Sequence, residues 1–93
     1  MSNLKGKKIK GKTKSGFEYS LEVERLENYE LIETIAELNE DISAMPKLLN
    51  LILGEEQKKK LLDHLRDKEG IVKVSKLETE IFEIFNSAKE LKN

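Results

Sequence analysis

The hydrophobic pattern of this chain changes its period once, and that change limits the fold more than any other feature. In the segment GFEYSLEV, at residues 16–23, apolar side chains occupy alternate positions. A period of two predicts a strand with one buried face. From residue 28 onward, the apolar residues recur at the helical period of 3.6 instead. The sequence therefore predicts an α+β fold, mostly helical, in which the strands come first.

An N-terminal β-hairpin is the simplest arrangement for the strand-like part. Ser15-Gly16 supplies turn chemistry ahead of the alternating segment, and residues around Ile9 are compatible with a weaker first strand. With 93 residues, the chain is long enough for one domain. We expect a single domain over residues 1–93. It comprises a lysine-rich leader and first strand (1–14), a second strand (15–24) and a helical body (28–92).

About four helices are expected in the helical body. Asn28 can cap the first, whose apolar stripe comprises Leu31, Ile32, Ile35 and Leu38, with Ala36 at its edge. Ser43 is a candidate N-cap for the second helix, and Pro46 is tolerated in its first turn. Gly54 ends that helix as a cap or hinge, and a third helix follows it directly.

The fourth helix is predicted from a capping box, Ser75 with Glu78 three residues later. The segment before it, Ile71-Val72-Lys73-Val74, is β-branched, and we expect its apolar side chains to lie against the core. Phe82 lies off the main apolar face, so it is either an edge packing residue or a contact for a partner. That main face comprises Leu77, Ile81, Ile84, Ala88 and Leu91, and it is widened by Phe85.

The second helix carries more apolar surface than a helix packed on one side needs. The apolar residues of the segment 45–53 together cover an arc of roughly 200°, whereas about 100° is usual for a surface helix. Other elements of the same chain could cover this arc, and so could a partner chain; the sequence leaves both open. Together with Phe82, the arc predicts weak, concentration-dependent self-association.

Charge is unevenly distributed along the chain. Residues 1–16 carry six lysines and no acid, and the remainder carries 11 basic and 18 acidic residues. Such a leader could bind nucleic acid, or it could protect an exposed strand from pairing with another chain. The leader contains no arginine, and no aromatic residue lies between its lysines to stack on bases. Nucleic acid is therefore the less favoured partner.

No pattern of catalytic or metal-binding residues is present. The chain lacks cysteine, which excludes disulfides and thiolate metal sites. A lone histidine, His64, is poor support for a metal site, so we expect a structural or solvent-exposed role for it. We expect no enzymatic activity, no catalytic residue, no cofactor and no bound metal. The longest apolar run has three residues, whereas a membrane span needs about 20, so we expect no membrane partner.

The order of these segments resembles a known family. The strand GFEYSLEV is followed by ELIETIAELNE, then by AMPKLLNLILGEEQKKKLLDHLRDKEGIV, then by KLETEIFEIF. Over residues 17–88 this order is similar to that of the small tail assembly chaperones of long-tailed (siphovirus-type) bacteriophages and prophages. The resemblance is carried by PKLLNLILGEEQ at 46–57 and by LRDKEG at 65–70.

The resemblance implies a function in virion assembly. Such a chaperone binds the tape measure protein in the cytoplasm of the bacterial host, without ATP, and is absent from the mature virion. A longer frameshifted form would also bind tail tube protein. The helical wheels single out five candidate contacts for the client: Leu48, Leu51, Ile52, Leu62 and Phe82. The alternatives are a small nucleic-acid-binding protein and a structural connector protein of the phage particle.

Overall fold

The computed structural model describes the backbone of residues 6–92 and the side chains of residues 6–88. Two antiparallel strands, β1 (Lys8–Lys12) and β2 (Glu18–Glu22), form an N-terminal hairpin. The helices α1 (Val23–Leu26), α2 (Tyr29–Glu40), α3 (Met45–Leu65) and α4 (Val74–Lys92) follow, with a short 3-10 turn (Ile42–Ala44) before α3. The prediction of a mostly helical α+β fold that begins with a hairpin is confirmed.

The hairpin has one face on the core and one face in solvent. Tyr19 and Leu21 of β2 are buried, while the lysines of β1 point outward. Gly11 lies opposite Tyr19 in the register, and a side chain at position 11 would collide with the Tyr19 ring. The predicted alternation is therefore confirmed. The second strand is shorter than the expected 15–24, because residues 13–17 form the hairpin turn and the backbone enters α1 at Val23.

The free edge of β2 is closed by one side chain of α3. The Ser20 N–H donates to Gln57 Oε1 at 2.7 Å, and Gln57 Nε2 donates to the Ser20 carbonyl at 2.6 Å. These two hydrogen bonds copy those that a third strand would make at this position. They hold the hairpin on α3 and occupy backbone groups that could otherwise pair with another chain.

The core is aliphatic and lies between the hairpin and the three longer helices. Its largest buried side chains come from β2, α2, α3 and α4 and include Leu21, Leu31, Leu48, Leu49, Ile52, Leu61, Ile81 and Ile84. The wide apolar arc at 45–53 is covered within the chain, since only Leu51 among its apolar residues is more than slightly exposed. The arc therefore gives no support to self-association.

The predicted face of α2 was partly wrong. Leu31 and Leu38 are buried and Ile35 is half-buried, but Ile32 is 64% exposed, and Ala36 is exposed as well. Thr34 is buried in their place. Its hydroxyl donates to the Glu30 carbonyl at 2.8 Å, so the polar group is satisfied inside the helix. With the hydroxyl satisfied, Thr34 can face the core.

The helix caps follow the predictions only in part. Asn28 caps α2 as expected, because its side chain accepts from the Glu30 N–H at 3.0 Å. Ser43 does not cap α3 as expected. It lies inside the 3-10 turn, where its backbone N–H donates to Asp41 at 3.0 Å. Hydrogen bonds from Ser43, through its hydroxyl and then its backbone N–H, lower the pKa of Asp41.

The segment between α3 and α4 does not pack as predicted. Ile71 and Val74 are about half exposed and Val72 is only half-buried. Asp67 explains this, because its carboxylate accepts from the backbone N–H groups of Glu69 and Ile71 at 2.9 and 3.0 Å. The hydrogen bond from Ile71 is the main reason that the pKa of Asp67 is lowered. The chain thus turns on itself before it can lie along the core.

The predicted face of α4 is confirmed over the described side chains. Leu77, Ile81, Ile84 and Ala88 are buried, Phe85 is half-buried and Phe82 is 39% exposed. The side chain of Leu91 lies outside the described residues. The helix begins at Val74, so Ser75 lies within its first turn rather than ahead of it. Across the described residues, no helix is both long and apolar enough to cross a membrane.

Candidate functional site

A sharp bend interrupts α3 at Gly54. The backbone there has φ +80° and ψ 165°, so the two predicted helices are two segments of one kinked element. Arg25 of α1 fits against the bend. Its Nη1 donates to the carbonyls of Asn50 and Leu51 at 3.2 and 3.4 Å, and its Nε donates to Glu22 at 3.0 Å. A cation at the end of a helical segment is also favoured by the helix dipole.

Replacing Gly54 with alanine should lower the free energy of unfolding by about 1–3 kcal/mol. This combination of φ and ψ is one that only glycine adopts readily. The added Cβ would also lie 3.1 Å from Arg25 Nη2. Urea denaturation followed by circular dichroism measures the loss.

Gly70→Ala is the matched control for Gly54→Ala. Gly70 also has a positive φ, +85°, but a Cβ there meets no other atom within 4 Å. The control separates the cost of the backbone conformation from the crowding of Arg25, so the loss at Gly54 should be the larger. A neutral or stabilising effect at Gly54 would mean that α3 runs straight in solution.

The structure divides the five residues predicted to contact a client into two sets. Leu48 and Ile52 are each 1% exposed and belong to the core. They cannot reach a partner unless the core opens. Leu51 and Leu62 are half-buried at the surface of the core, and Phe82 is exposed on α4. The wheels failed for the first pair because the arc at 45–53 is covered within the chain.

A shallow groove of about 230 Å³ lies where the two segments of α3 meet. It is lined by Leu62 together with Asn50, Glu55, Lys58 and Lys59. Asn50 Oδ1 is buried without a hydrogen-bond partner among the described residues. Of the five predicted contacts, the groove includes only Leu62.

Among the described side chains, the larger exposed apolar ones fall in two regions. One region comprises Tyr29 and Ile32 of α2, with Ile42 just beyond the helix. The other, here called the α4 edge, comprises Ile71, Val74 and Phe82. On a helix, Val74 and Phe82 lie about 80° apart and so share one side of α4. The sequence placed Phe82 off the main apolar face, which agrees with its exposure, but it placed the exposed Ile32 on the apolar stripe of α2.

A chain of hydrogen bonds links the hairpin turn to α3 and α4, and the sequence did not predict it. Thr13 Oγ1 donates to Glu80 Oε1 at 2.8 Å, and both residues are buried. Ser15 Oγ lies 3.1 Å from Thr13 Oγ1 and 3.0 Å from His64 Nε2. Three of these residues, Ser15, His64 and Glu80, line a groove of about 570 Å³ between the turn and the two helices. A serine beside a histidine raises the question of nucleophilic catalysis.

Counting protons answers that question. The single hydroxyl proton of Thr13 goes to Glu80, so Ser15 must be the donor in its contact with Thr13. The Ser15 proton is then used, and His64 Nε2 must donate to Ser15 Oγ. With a proton on Nε2, His64 cannot accept one from Ser15 as a general base would. In this hydrogen-bond pattern the contacts connect the hairpin turn, α3 and α4, and His64 Nε2 is not placed as a proton acceptor for Ser15.

Within residues 6–88, no group of three or more histidine, aspartate or glutamate side chains is placed to hold a metal ion. The lysines of β1 line one side of the hairpin, in a groove of about 770 Å³ that also contains Lys60. Glu22 lies opposite Lys8 in the sheet register, and Glu18 lies opposite Lys12. The basic row is thus partly balanced by carboxylates on the neighbouring strand.

Comparisons with models of protein families, with curated proteins and with solved structures found no match to this chain.

Proposed function

We propose that this protein is a tail assembly chaperone that binds the tape measure protein of a long-tailed phage and keeps it soluble without ATP. The observation that carries the proposal is the α4 edge, where Ile71, Val74 and Phe82 are exposed on a highly charged body. Exposed apolar surface of this kind is typical of protein-binding sites. The segment order of residues 17–88, which resembles that of such chaperones, supports the choice of client.

Phe82 is the residue at the α4 edge that best suits client contact. It is the only aromatic side chain of the edge, and its ring can bury a large apolar area against a partner. Leu51 and Leu62 are half-buried and would contribute smaller contacts. Leu48 and Ile52 have no place in this binding surface, because both lie in the core.

Coexpression with the tape measure protein tests the function directly. The wild-type chain should keep the tape measure protein in the soluble fraction. Phe82→Asp should abolish this effect, because it places a charge in an apolar contact, yet it should retain a normal circular dichroism spectrum. Asn86→Asp is the control, since it adds the same charge to an exposed position of α4 without removing an apolar group.

The possible outcomes of the coexpression test separate the parts of the proposal. If Phe82→Asp unfolds the protein, Phe82 is a core residue and the proposed surface is wrong. If the variant folds and still solubilises the client, the client binds elsewhere. If the wild-type chain leaves the client insoluble, the chaperone function itself fails. The proposal also places the protein in the bacterial cytoplasm and outside the finished particle, which mass spectrometry of purified virions tests against a structural connector.

Nucleic-acid binding is a second candidate function, and the lysine row of β1 is the observation that favours it. The carboxylates of Glu18 and Glu22 on the adjacent strand weaken this candidate, because they would repel phosphates. An electrophoretic binding assay at low and moderate salt distinguishes the two functions. Phosphate contacts lose affinity steeply with salt, whereas the apolar contacts of the α4 edge do not.

A further inference from the structure

The outward side of α2 carries an apolar stripe that nothing in the described chain covers. Tyr29, Ile32 and Ala36 fall within about 60° of one another on a helix. Tyr29 is 67% and Ile32 is 64% exposed. These are the two most exposed large apolar side chains of the described residues. We call these three residues the α2 stripe.

The α2 stripe faces away from the body of the protein. The opposite side of α2 packs on α3 and on the 3-10 turn, through the buried residues Leu31, Thr34 and Leu38. That contact buries the side of α2 that belongs to the core. The α2 stripe therefore does not support the fold, and no contact among the described residues explains its exposure.

Glutamates border the α2 stripe along one side. Glu33, Glu37 and Glu40 are exposed and lie beside it on the helix surface. The segment 29–40 contains four glutamates and no lysine or arginine. Ion pairs within 4 Å in the described part of the chain involve other residues, Arg25 with Glu22 and Arg66 with Asp63. The acidic border is thus available to a cationic partner.

We propose that the α2 stripe is a docking site for a cationic amphipathic helix of a partner protein. Such a helix would place apolar side chains spaced i, i+3, i+7 on Tyr29, Ile32 and Ala36. Its lysines or arginines would face Glu33, Glu37 and Glu40. This inference rests on the proposed function in one respect: the partner is taken to be a helical segment of a protein.

Charge argues against a second copy of this chain as the occupant. Two α2 stripes that face each other would bring two acidic borders together, and like charges in an interface are costly. The lysine row of β1 belongs to a strand and lies opposite Glu18 and Glu22. It therefore does not offer the helical, cationic surface that the α2 stripe fits.

The test uses two synthetic helical peptides with the same leucine stripe. Lysines border the stripe in one peptide and glutamates in the other, and both carry a fluorescein label for anisotropy titration. The wild-type protein should bind the lysine peptide at least tenfold more tightly. This preference should shrink as salt is raised, because exposed charges are screened. Equal affinity for the two peptides would overturn the proposal.

Matched variants locate the binding site. Ile32→Ser should weaken binding of the lysine peptide about tenfold, whereas Ile71→Ser, at an isoleucine of similar exposure, should not. Glu33→Lys with Glu37→Lys should reverse the preference between the peptides. Glu55→Lys with Glu56→Lys changes two exposed glutamates of α3 by the same amount and should leave the preference in place.

Three results would contradict the α2 site. If Ile71→Ser weakens binding more than Ile32→Ser does, the peptide docks on the α4 edge. If the charge reversals on α2 and on α3 change the peptide preference equally, the preference depends on the net charge of the protein and not on the α2 stripe. If the wild-type protein self-associates, ignores both peptides and becomes monomeric on Ile32→Ser, the occupant is a second copy. None of these experiments contains the tape measure protein. A negative result with the peptides therefore overturns the α2 site alone, and the chaperone function is tested separately by coexpression with Phe82→Asp.

Discussion

Replacing Leu48 with alanine should destabilise the protein by about 2–5 kcal/mol. Leu48 is 1% exposed and belongs to the core cluster of the described residues. The substitution removes buried apolar surface and leaves a cavity that its neighbours fill only in part. A domain of 93 residues has a total stability of about 5–14 kcal/mol, so the loss is a large share of it. Urea denaturation followed by circular dichroism measures the change.

Leu51→Ala is the matched control for Leu48→Ala. Both leucines lie in the first segment of α3, but Leu51 is half-buried, so its truncation should cost clearly less. The comparison decides a question that the sequence left open, namely whether the chain itself covers the wide apolar arc. Equal, small effects at both positions would show that residue 48 is not packed in solution. Leu48 would then again be a candidate client contact.

Replacing Thr13 with valine should cost roughly 3 kcal/mol. Valine keeps the shape of threonine but loses the hydroxyl, which donates to Glu80 at 2.8 Å and accepts from the Phe17 N–H at 3.1 Å. Glu80 is 4% exposed. It would be left without its described donor, and burying an unpaired carboxylate is expensive. Thermal or urea denaturation measures the effect.

Two further variants separate this explanation from a general effect of mutating the turn. Ser15→Ala removes an exposed hydroxyl from the same chain of hydrogen bonds and should cost much less. Adding Glu80→Met to Thr13→Val should recover part of the lost stability, because the unpaired carboxylate is then gone. If Ser15→Ala costs as much as Thr13→Val, the buried bond to Glu80 is not the important one.

Local patterns predicted the parts of the fold in which one face of an element is buried. The alternation around Tyr19 and Leu21 located β2, and the 3.6-residue period located α4 with Phe82 at its edge. The pattern of α2 was less informative, since Ile32 and Thr34 lie on either side of the Leu31–Leu38 line. Packing against α3 determines which side of α2 is buried. A helical wheel drawn for α2 alone cannot show this.

Contacts between distant polar residues could not be predicted from the sequence. The bond from Thr13 to Glu80 and the bond from Arg25 to the carbonyl of Asn50 join residues with no shared local pattern. The same limit applies to the candidate site. An apolar arc shows that a surface must be covered, but it does not show what covers it, and this is why Leu48 and Ile52 were assigned to a client.

The hydrogen bonds between the hairpin turn and α4 also bear on how the chain folds during its synthesis. Thr13 bonds Glu80, and the backbone N–H of Lys14 bonds Glu83. At roughly 5–20 residues per second, a ribosome needs several seconds to proceed from one partner to the other. Throughout that interval Thr13 and Lys14 lack their partners on α4. A chain released before Glu80 would lack the carboxylate that Thr13 binds, so the domain can be completed only after α4 has been translated.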